Sequence, residues 1–275
     1  MFSRQNETYA VDPNLLSHIF SDEANPLNRI AKIIPEKAKV LDIGAGNGLL
    51  ANVLLHSHAE VVVDGIEPSA HAAKLASQYY RNFYTGYAQD FFPEIQRENY
   101  DYIILADVIE HMPDPLIFLQ LLYKHTGAST KIVISTPNVA FGAVRVALMN
   151  GEFRYVDSGL LERTHLRFFT RETLLEMCKK SGFHTEKFYF LYRDMMSCEI
   201  KIFPNLKNFI YLLLLARDEL AHTYQFLLVL DKNDRVIKPN EIAKYGSKQS
   251  VVTGFLRVLL RTARNALRNR LKGFR

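Results

Sequence analysis

The sequence predicts an α/β chain built on a doubly wound, mostly parallel sheet of seven strands, the last of them antiparallel. Three observations predict it. Short runs rich in β-branched residues alternate with segments of helical apolar spacing along most of the chain. The first such run ends in a glycine-rich turn that opens directly into a helix. The chain has 275 residues, 48% of them hydrophobic, which is enough to bury the core of one elaborated domain.

Residues 1–25 read as an N-terminal extension. Pro26 opens a helix to Ile34, with Leu27, Ile30, Ile33 and Ile34 on one side. A buried strand at 39–43 leads through the glycine turn into a helix at 49–56. The second strand, 60–66, has Val61, Val62 and Val63 at its start, and a helix follows at 69–80. Strands at 82–85, 102–106 and 131–135 come next, with a helix at 115–126 between the last two. Residues 139–169 are too long for an ordinary connection, and predict an inserted helix and loop over the sheet edge. Thr170 is placed to cap a helix running to Lys180, and Gly182 to stop it. Strands at 185–191 and 224–230 complete a domain spanning 26–232. Residues 233–275 then read as a linker and a basic amphipathic C-terminal helix.

Composition narrows the class of protein. Cys178 and Cys198 are the two cysteines, and their spacing suits neither a disulfide framework nor a structural zinc site, so a reducing, cytoplasmic setting and no metal are expected. The N-terminal residues carry no signal-like apolar segment, and the longest apolar run, 209–216, is too short to span a bilayer. The net charge is +5, yet residues 251–275 carry seven basic residues and no acid, which leaves the remainder at −2. A nearly neutral body argues against nucleic acid as a partner. In the tail, Leu256, Leu259, Leu260, Ala263, Leu267, Leu271 and Phe274 share one helical face. Arg257, Arg261, Arg264, Arg268 and Arg275 share a neighbouring one. Such a helix suits peripheral contact with the inner face of a membrane, docking on the body, or a homodimer.

The chemistry-bearing residues begin at Val40-Leu41-Asp42-Ile43-Gly44-Ala45-Gly46-Asn47-Gly48. Glycines there let the chain turn sharply, with no Cβ between backbone and ligand. Counting from Gly44, the third glycine of a dinucleotide fingerprint falls on Leu49, and no phosphate-loop motif is present, so a nucleoside without phosphates suits the turn better. Glu67, in Gly65-Ile66-Glu67-Pro68 at the end of the second strand, is placed to accept two hydrogen bonds from ribose hydroxyls. The glycine turn upstream favours that function over the alternative, a carboxylate facing the N-terminus of the following helix. Further on come Ala88-Gln89-Asp90-Phe91 and the run from Tyr100 through Ala106-Asp107-Val108 to Glu110-His111.

Together these four pieces resemble, in order and spacing, the motifs of class I S-adenosylmethionine-dependent methyltransferases, whose domain is Rossmann-like. The resemblance covers about residues 26–232. It implies S-adenosylmethionine as cofactor and S-adenosylhomocysteine as product. Asp42, Gly44, Ala45 and Gly46 would face the methionine part, Glu67 and Pro68 the ribose, and Asp90 and Phe91 the adenine. Ala106, Asp107 and Val108 would face both cofactor and acceptor. Glu110-His111-Met112-Pro113-Asp114-Pro115 resembles a run in quinone-biosynthesis and small-molecule O-methyltransferases. Arg163-Thr164-His165-Leu166-Arg167-Phe168-Phe169-Thr170 resembles a segment of bacterial methyltransferases linked to surface glycans.

A hydroxyl acceptor must lose a proton, which suits histidine near neutral pH. His111 is the first candidate base, and His165 the second, as base or as hydrogen-bond donor; either could instead serve only in packing. Oxygen is the default acceptor, since the sequence has no Asp/Asn-Pro-Pro-aromatic signature of nitrogen methylation and no cysteine pair for thiol chemistry. A sugar or glycan precursor is expected because Arg154, Tyr155, Asp157, Glu162 and Arg163 make the inserted segment polar. The alternatives are a quinone precursor in an apolar slot, or a cofactor-binding scaffold without turnover.

Overall fold

The computed structural model describes residues 13–234, 237–238, 241–248 and 250–272. The chain opens with α1 (Pro13–Ser21) and α2 (Pro26–Ile33), then alternates through β1 (Lys39–Ile43), α3 (Leu49–Ser57), β2 (Val62–Glu67), α4 (Ala70–Ala76) and β3 (Phe83–Thr85). It continues with α5 (Phe92–Glu98), β4 (Tyr102–Ala106), α6 (Pro115–His125), β5 (Lys131–Pro137), α7 (Gly142–Met149) and α8 (Arg171–Ser181). The remainder is β6 (His184–Tyr192), α9 (Leu206–Leu215), α10 (Glu219–His222), β7 (Thr223–Asp231), β8 (Ile242–Tyr245) and α11 (Val251–Lys272). The helix starts have local causes. The side chains of Asn25, Ser69, Asp114, Thr170 and Asn205 each accept from a backbone N–H of the first turn. Gly182 ends α8 at a φ of 97°, as its position predicts.

The strands form one sheet in the order β3-β2-β1-β4-β5-β7-β6-β8. β1 to β5 are parallel, and β7 runs antiparallel between β5 and β6. The seventh strand in chain order is thus the antiparallel one, as expected. The eighth is not anticipated: β8 lies in the stretch read as a linker and pairs in parallel with β6. Its four residues, Ile-Ala-Lys-Tyr, carry too little pattern to announce a strand.

Side chains alternate between two cores, one on each face of the sheet. Leu41, Ile103, Leu105, Ile132, Ile134, Phe226 and Leu228 point toward α5, α6 and α8. Val40, Ile104, Val133, Leu227 and Val229 point toward α2, α3 and α4. A third cluster gathers Phe141, Val144, Leu160, Leu161, Leu212, Leu215, Val251 and Phe255 beneath α7, α9 and the start of α11.

Two expectations need correcting. The helix expected at 69–80 ends at Ala76 and passes through a 3-10 turn at Ser77–Tyr79, because the Tyr80 ring turns inward to reach Asp42. The inserted segment does not run over a sheet edge, since β5 is flanked by β4 and β7. It contains α7, then folds back so that the N–H groups of Leu166 and Arg167 both donate to the Glu110 carbonyl, at 2.8 and 3.0 Å. The chain order reverses between β1 and β4, so a crevice opens at the carboxyl ends of these two strands, where ligands of open α/β sheets bind.

Candidate active site

The glycine turn lies in that crevice. Gly44, Gly46 and Gly48 have φ of 77°, 52° and 84°, a region that side chains disfavour. A Cβ on Gly44 would stand 2.7 Å from Val108 Cγ2, so glycine there keeps open the space between the ends of β1 and β4. The N–H groups of Gly44 and Ala45 donate to the Ile66 carbonyl, which fixes the turn against β2. Asp42 stands behind it, 2% exposed, and accepts from the Tyr80 hydroxyl at 2.7 Å. Burial, with a smaller contribution from the nearby Glu67 charge, raises its carboxyl from the ordinary 3.8 to about 7.

Glu67 joins the turn to β2. Its Oε2 accepts from the Gly46 N–H at 2.9 Å, and its Oε1 from the Ser69 N–H at 2.8 Å. Both expected functions of this carboxylate are therefore compatible. It holds the glycine turn and the start of α4, and it also lines the cavity, where its remaining lone pairs can accept from a vicinal diol.

The cavity has a volume of about 820 Å³. Gly44, Glu67 and Pro68 line one end, and Tyr87, Ala88 and Gln89 line the β3 side. Asp107, Val108 and His111 follow along the β4 side, and Met112, Ile117, Phe118, Leu121 and Leu166 add an apolar wall. Asp90 and Phe91 do not line it. The exposed Asp90 carboxylate accepts from the Tyr87 N–H and caps the 3-10 turn Ala88–Phe91. The Phe91 ring packs on Tyr84 at 5.1 Å. The local turn thus uses the acid, and its neighbours Ala88 and Gln89 face the cavity instead. Ala45, Gly46 and Ala106 support the walls without lining them: Ala106 packs into the core on the α3 side. Asp107 adopts a φ of 56°, and its carboxylate accepts from Ser135 Oγ and Gln225 Nε2.

Past β4, the backbone turns through Ile109–His111 and buries Glu110, 1% exposed. Its Oε2 accepts from Thr136 Oγ1 at 3.1 Å, while Oε1 is buried without a hydrogen-bond partner. Burial, then the Asp107 charge, holds this carboxyl well above the usual carboxylate range. The His111 and His165 rings meet edge to face at 4.7 Å. His111 Nδ1 lies 3.2 Å from the Thr164 carbonyl and His165 Nδ1 3.1 Å from that of Leu160. A carbonyl only accepts, so in the neutral rings both Nδ1 atoms carry the proton and both Nε2 atoms keep a lone pair. Burial and the neighbouring His111 lower the pKa of His165, which favours its neutral form.

Ligand-type atoms of Glu110, His111 and His165 lie within 4.8 Å of one another, the group of this kind found among the described residues. Two imidazoles with proton-fixed Nδ1 atoms and one unpaired carboxylate oxygen form a donor set suited to a divalent cation. The sequence places no metal here. Its one signal was the pair Glu110-His111 with a second histidine 54 positions on, a separation that only the folded-back inserted segment makes local.

Residues 15–187 match a family described as a methyltransferase domain. The ubiquinone biosynthesis O-methyltransferase of Rickettsia canadensis (strain McKiel) is 25% identical over 210 residues, covering 74% of this chain and 86% of that protein. The enzyme of the same name from Rhodopseudomonas palustris (strain TIE-1) is 32% identical over 171 residues, 59% of this chain and 64% of that protein, a little under two thirds of its length. Among solved structures, an S-adenosylmethionine-dependent methyltransferase from Archaeoglobus fulgidus is similar, with a TM-score of 0.54 and 19% identity over 80% of this chain and all of that one. Another, described as a possible histamine N-methyltransferase of Thermotoga maritima, has a TM-score of 0.51 and 16% identity over 80% of this chain and 96% of that one. These two likenesses concern the fold.

Proposed function

Because the chain belongs to the methyltransferase domain family and is an S-adenosylmethionine-dependent methyltransferase, we propose that it methylates a hydroxyl oxygen on an aromatic quinone precursor. One observation carries the reading: a single cavity joins the glycine turn and Glu67 to His111 beneath an apolar wall of Met112, Ile117, Phe118, Leu121 and Leu166. A sugar acceptor would need polar walls. The residues that favoured one do not line this cavity, and Arg163 and Asp157 pair with each other at the surface, as Arg154 and Glu152 do. The names of the two relatives above agree with the aromatic reading.

The fit to the cofactor rests on the Cβ-free approach at Gly44 and on the carboxylate of Glu67. Gly44, Glu67, Pro68, Ala88, Gln89 and Val108 are the residues that would hold it. S-adenosylmethionine supplies an electrophilic methyl group on a sulfonium, so the chain's own work is to position the acceptor in line and remove its proton. His111 Nε2, at the cavity wall, is the base where no cation occupies it. A divalent cation on Glu110, His111 and His165 would acidify an acceptor hydroxyl brought to it. The unpaired Glu110 Oε1 favours that arrangement.

Two measurements test this. S-adenosylhomocysteine at a hundredfold its dissociation constant stabilises the fold by about 2.7 kcal/mol. That is a rise in Tm of roughly 5–10 °C, whereas NAD gives none. Methyl transfer is then detected with catechol-type acceptors and not with sugar alcohols; turnover on sugars alone would overturn the aromatic reading. Glu67→Gln retains one acceptor oxygen where two backbone donors need one each. Its affinity for S-adenosylhomocysteine falls by about 10–100-fold, as calorimetry would measure.

A further inference from the structure

Helix α9 buries Asn208, Leu212 and Leu215 and turns Leu206, Ile210, Leu213 and Leu214 outward. These four lie at i, i+4, i+7 and i+8 and so form one stripe, with Leu206 74% and Leu214 71% exposed. α11 repeats the arrangement. Val251, Gly254 and Phe255 are buried, with the Phe255 ring 4.8 Å from that of Phe209 on α9. Val252, Leu256, Leu259 and Leu260 are exposed at the same spacing. From Leu256 to Asn265 only Val258 is even half-buried, so the helix leaves the body with its apolar stripe uncovered. At the entry to α9, Phe203 adds a ring that is 76% exposed. Large apolar side chains are thus uncovered on two adjoining helices, where a body of this size ordinarily shows them singly.

The charge around the α11 stripe has one sign. Residues 251–272 carry Arg257, Arg261, Arg264, Arg268, Arg270 and Lys272 and no acid, and Lys201 and Lys207 flank the start of α9. Arg257 is drawn toward Asp194, at 3.7 Å, while Arg261 and Arg264 are exposed. Pairing α11 with its copy would bring two acid-free basic helices together, a repulsive arrangement. An apolar stripe beside a basic face instead matches the boundary between acyl chains and anionic headgroups.

We propose that the exposed stripes of α9 and α11 dock the enzyme on an anionic lipid bilayer, with Arg261 and Arg264 at the headgroups. The inference is independent of the acceptor, and no helix of the described residues is long and apolar enough to cross a membrane. The test is co-sedimentation of the full chain with phosphatidylcholine vesicles, with and without phosphatidylglycerol. Binding is expected only to the anionic vesicles and weakens with salt. In Leu256→Ser/Leu260→Ser and, separately, Arg261→Glu/Arg264→Glu it falls by about tenfold or more. Both variants retain the wild-type Tm and its response to S-adenosylhomocysteine, which separates loss of docking from loss of fold. Equal binding to both vesicle types, no binding, or variants that bind like wild type would overturn the proposal. So would a dimer in solution that dissociates on the leucine substitutions, since a second copy would then own the face.

Discussion

His111→Ala lowers kcat for methyl transfer by about 10²–10⁴-fold, the span that a positioned acid–base group ordinarily contributes. The affinity for S-adenosylhomocysteine stays unchanged, because the groups proposed to hold it lie on the glycine turn, β2, the β3 side and Val108, whose backbone bond from the His111 N–H survives the substitution. The size of the loss follows from geometry. His111 lines the cavity, and its hydrogen bond to the Thr164 carbonyl leaves Nε2 as the atom able to take a proton or a cation. His165 stands behind it with the same polarity, anchored on Leu160. A cation seat predicts more than a lone base does. Chelation with EDTA would silence the wild-type enzyme, added Mn²⁺ would restore it, and His165→Ala would lose activity in parallel with His111→Ala. Full turnover by His111→Ala, with its Tm unaltered, would remove this residue from the chemistry. Activity that withstands EDTA would leave His111 acting without a metal.

The second large effect is on stability. Asp42 has its carboxyl raised from 3.8 to about 7 by burial, so in the absence of cofactor the folded chain keeps a proton there that the unfolded chain releases. Unfolding releases that proton, and raising the pH therefore favours the unfolded state. The cost grows from about pH 4 and is complete above pH 7, where it reaches about 4 kcal/mol. Between pH 5 and 8 the share is about 2–3 kcal/mol, or roughly 5–10 °C in Tm. Asp42→Asn cannot ionise, yet its side-chain oxygen can still accept from the Tyr80 hydroxyl. The Tm of wild type therefore falls relative to that of Asp42→Asn as pH rises across this window, in scanning calorimetry on cofactor-free protein. Parallel curves would mean that Asp42 is already ionised when folded.

The parts of this molecule that were legible in the sequence are those whose cause is local. β1 shows itself as a β-branched run feeding glycines, and Glu67 by its place at the end of the next strand. Thr170 and Gly182 mark both ends of α8 because capping and a positive φ are decided within a few residues. What was hidden depends on distant chain. Glu110 is buried because the N–H groups of residues 166 and 167 close over its carbonyl and Thr136 reaches its carboxylate. Asp90 shows the opposite failure: a suitable acid at the expected place is taken up by the Tyr87 N–H, and the cavity receives the residues beside it. The polar side chains of the inserted segment fall outside the cavity for a related reason. Their sequence suggests a sugar site, while Arg163 and Asp157 find each other at the surface and Leu166 faces the cavity.

The position of β7 has a consequence for how this protein comes into being on the ribosome. The strand that fills the slot between β5 and β6 is made after both of them, so neither can complete its ladder until Asp231 has been synthesised. Until then the nascent chain presents two unsatisfied apolar edges, open to wrong partners and to chaperones. On that same late strand, Gln225 donates to Asp107, so this wall of the crevice is finished only with the last third of the chain. The nucleoside-type pocket and this part of the nascent sheet thus mature together, and a polypeptide released early would carry the glycine turn without its finished surroundings.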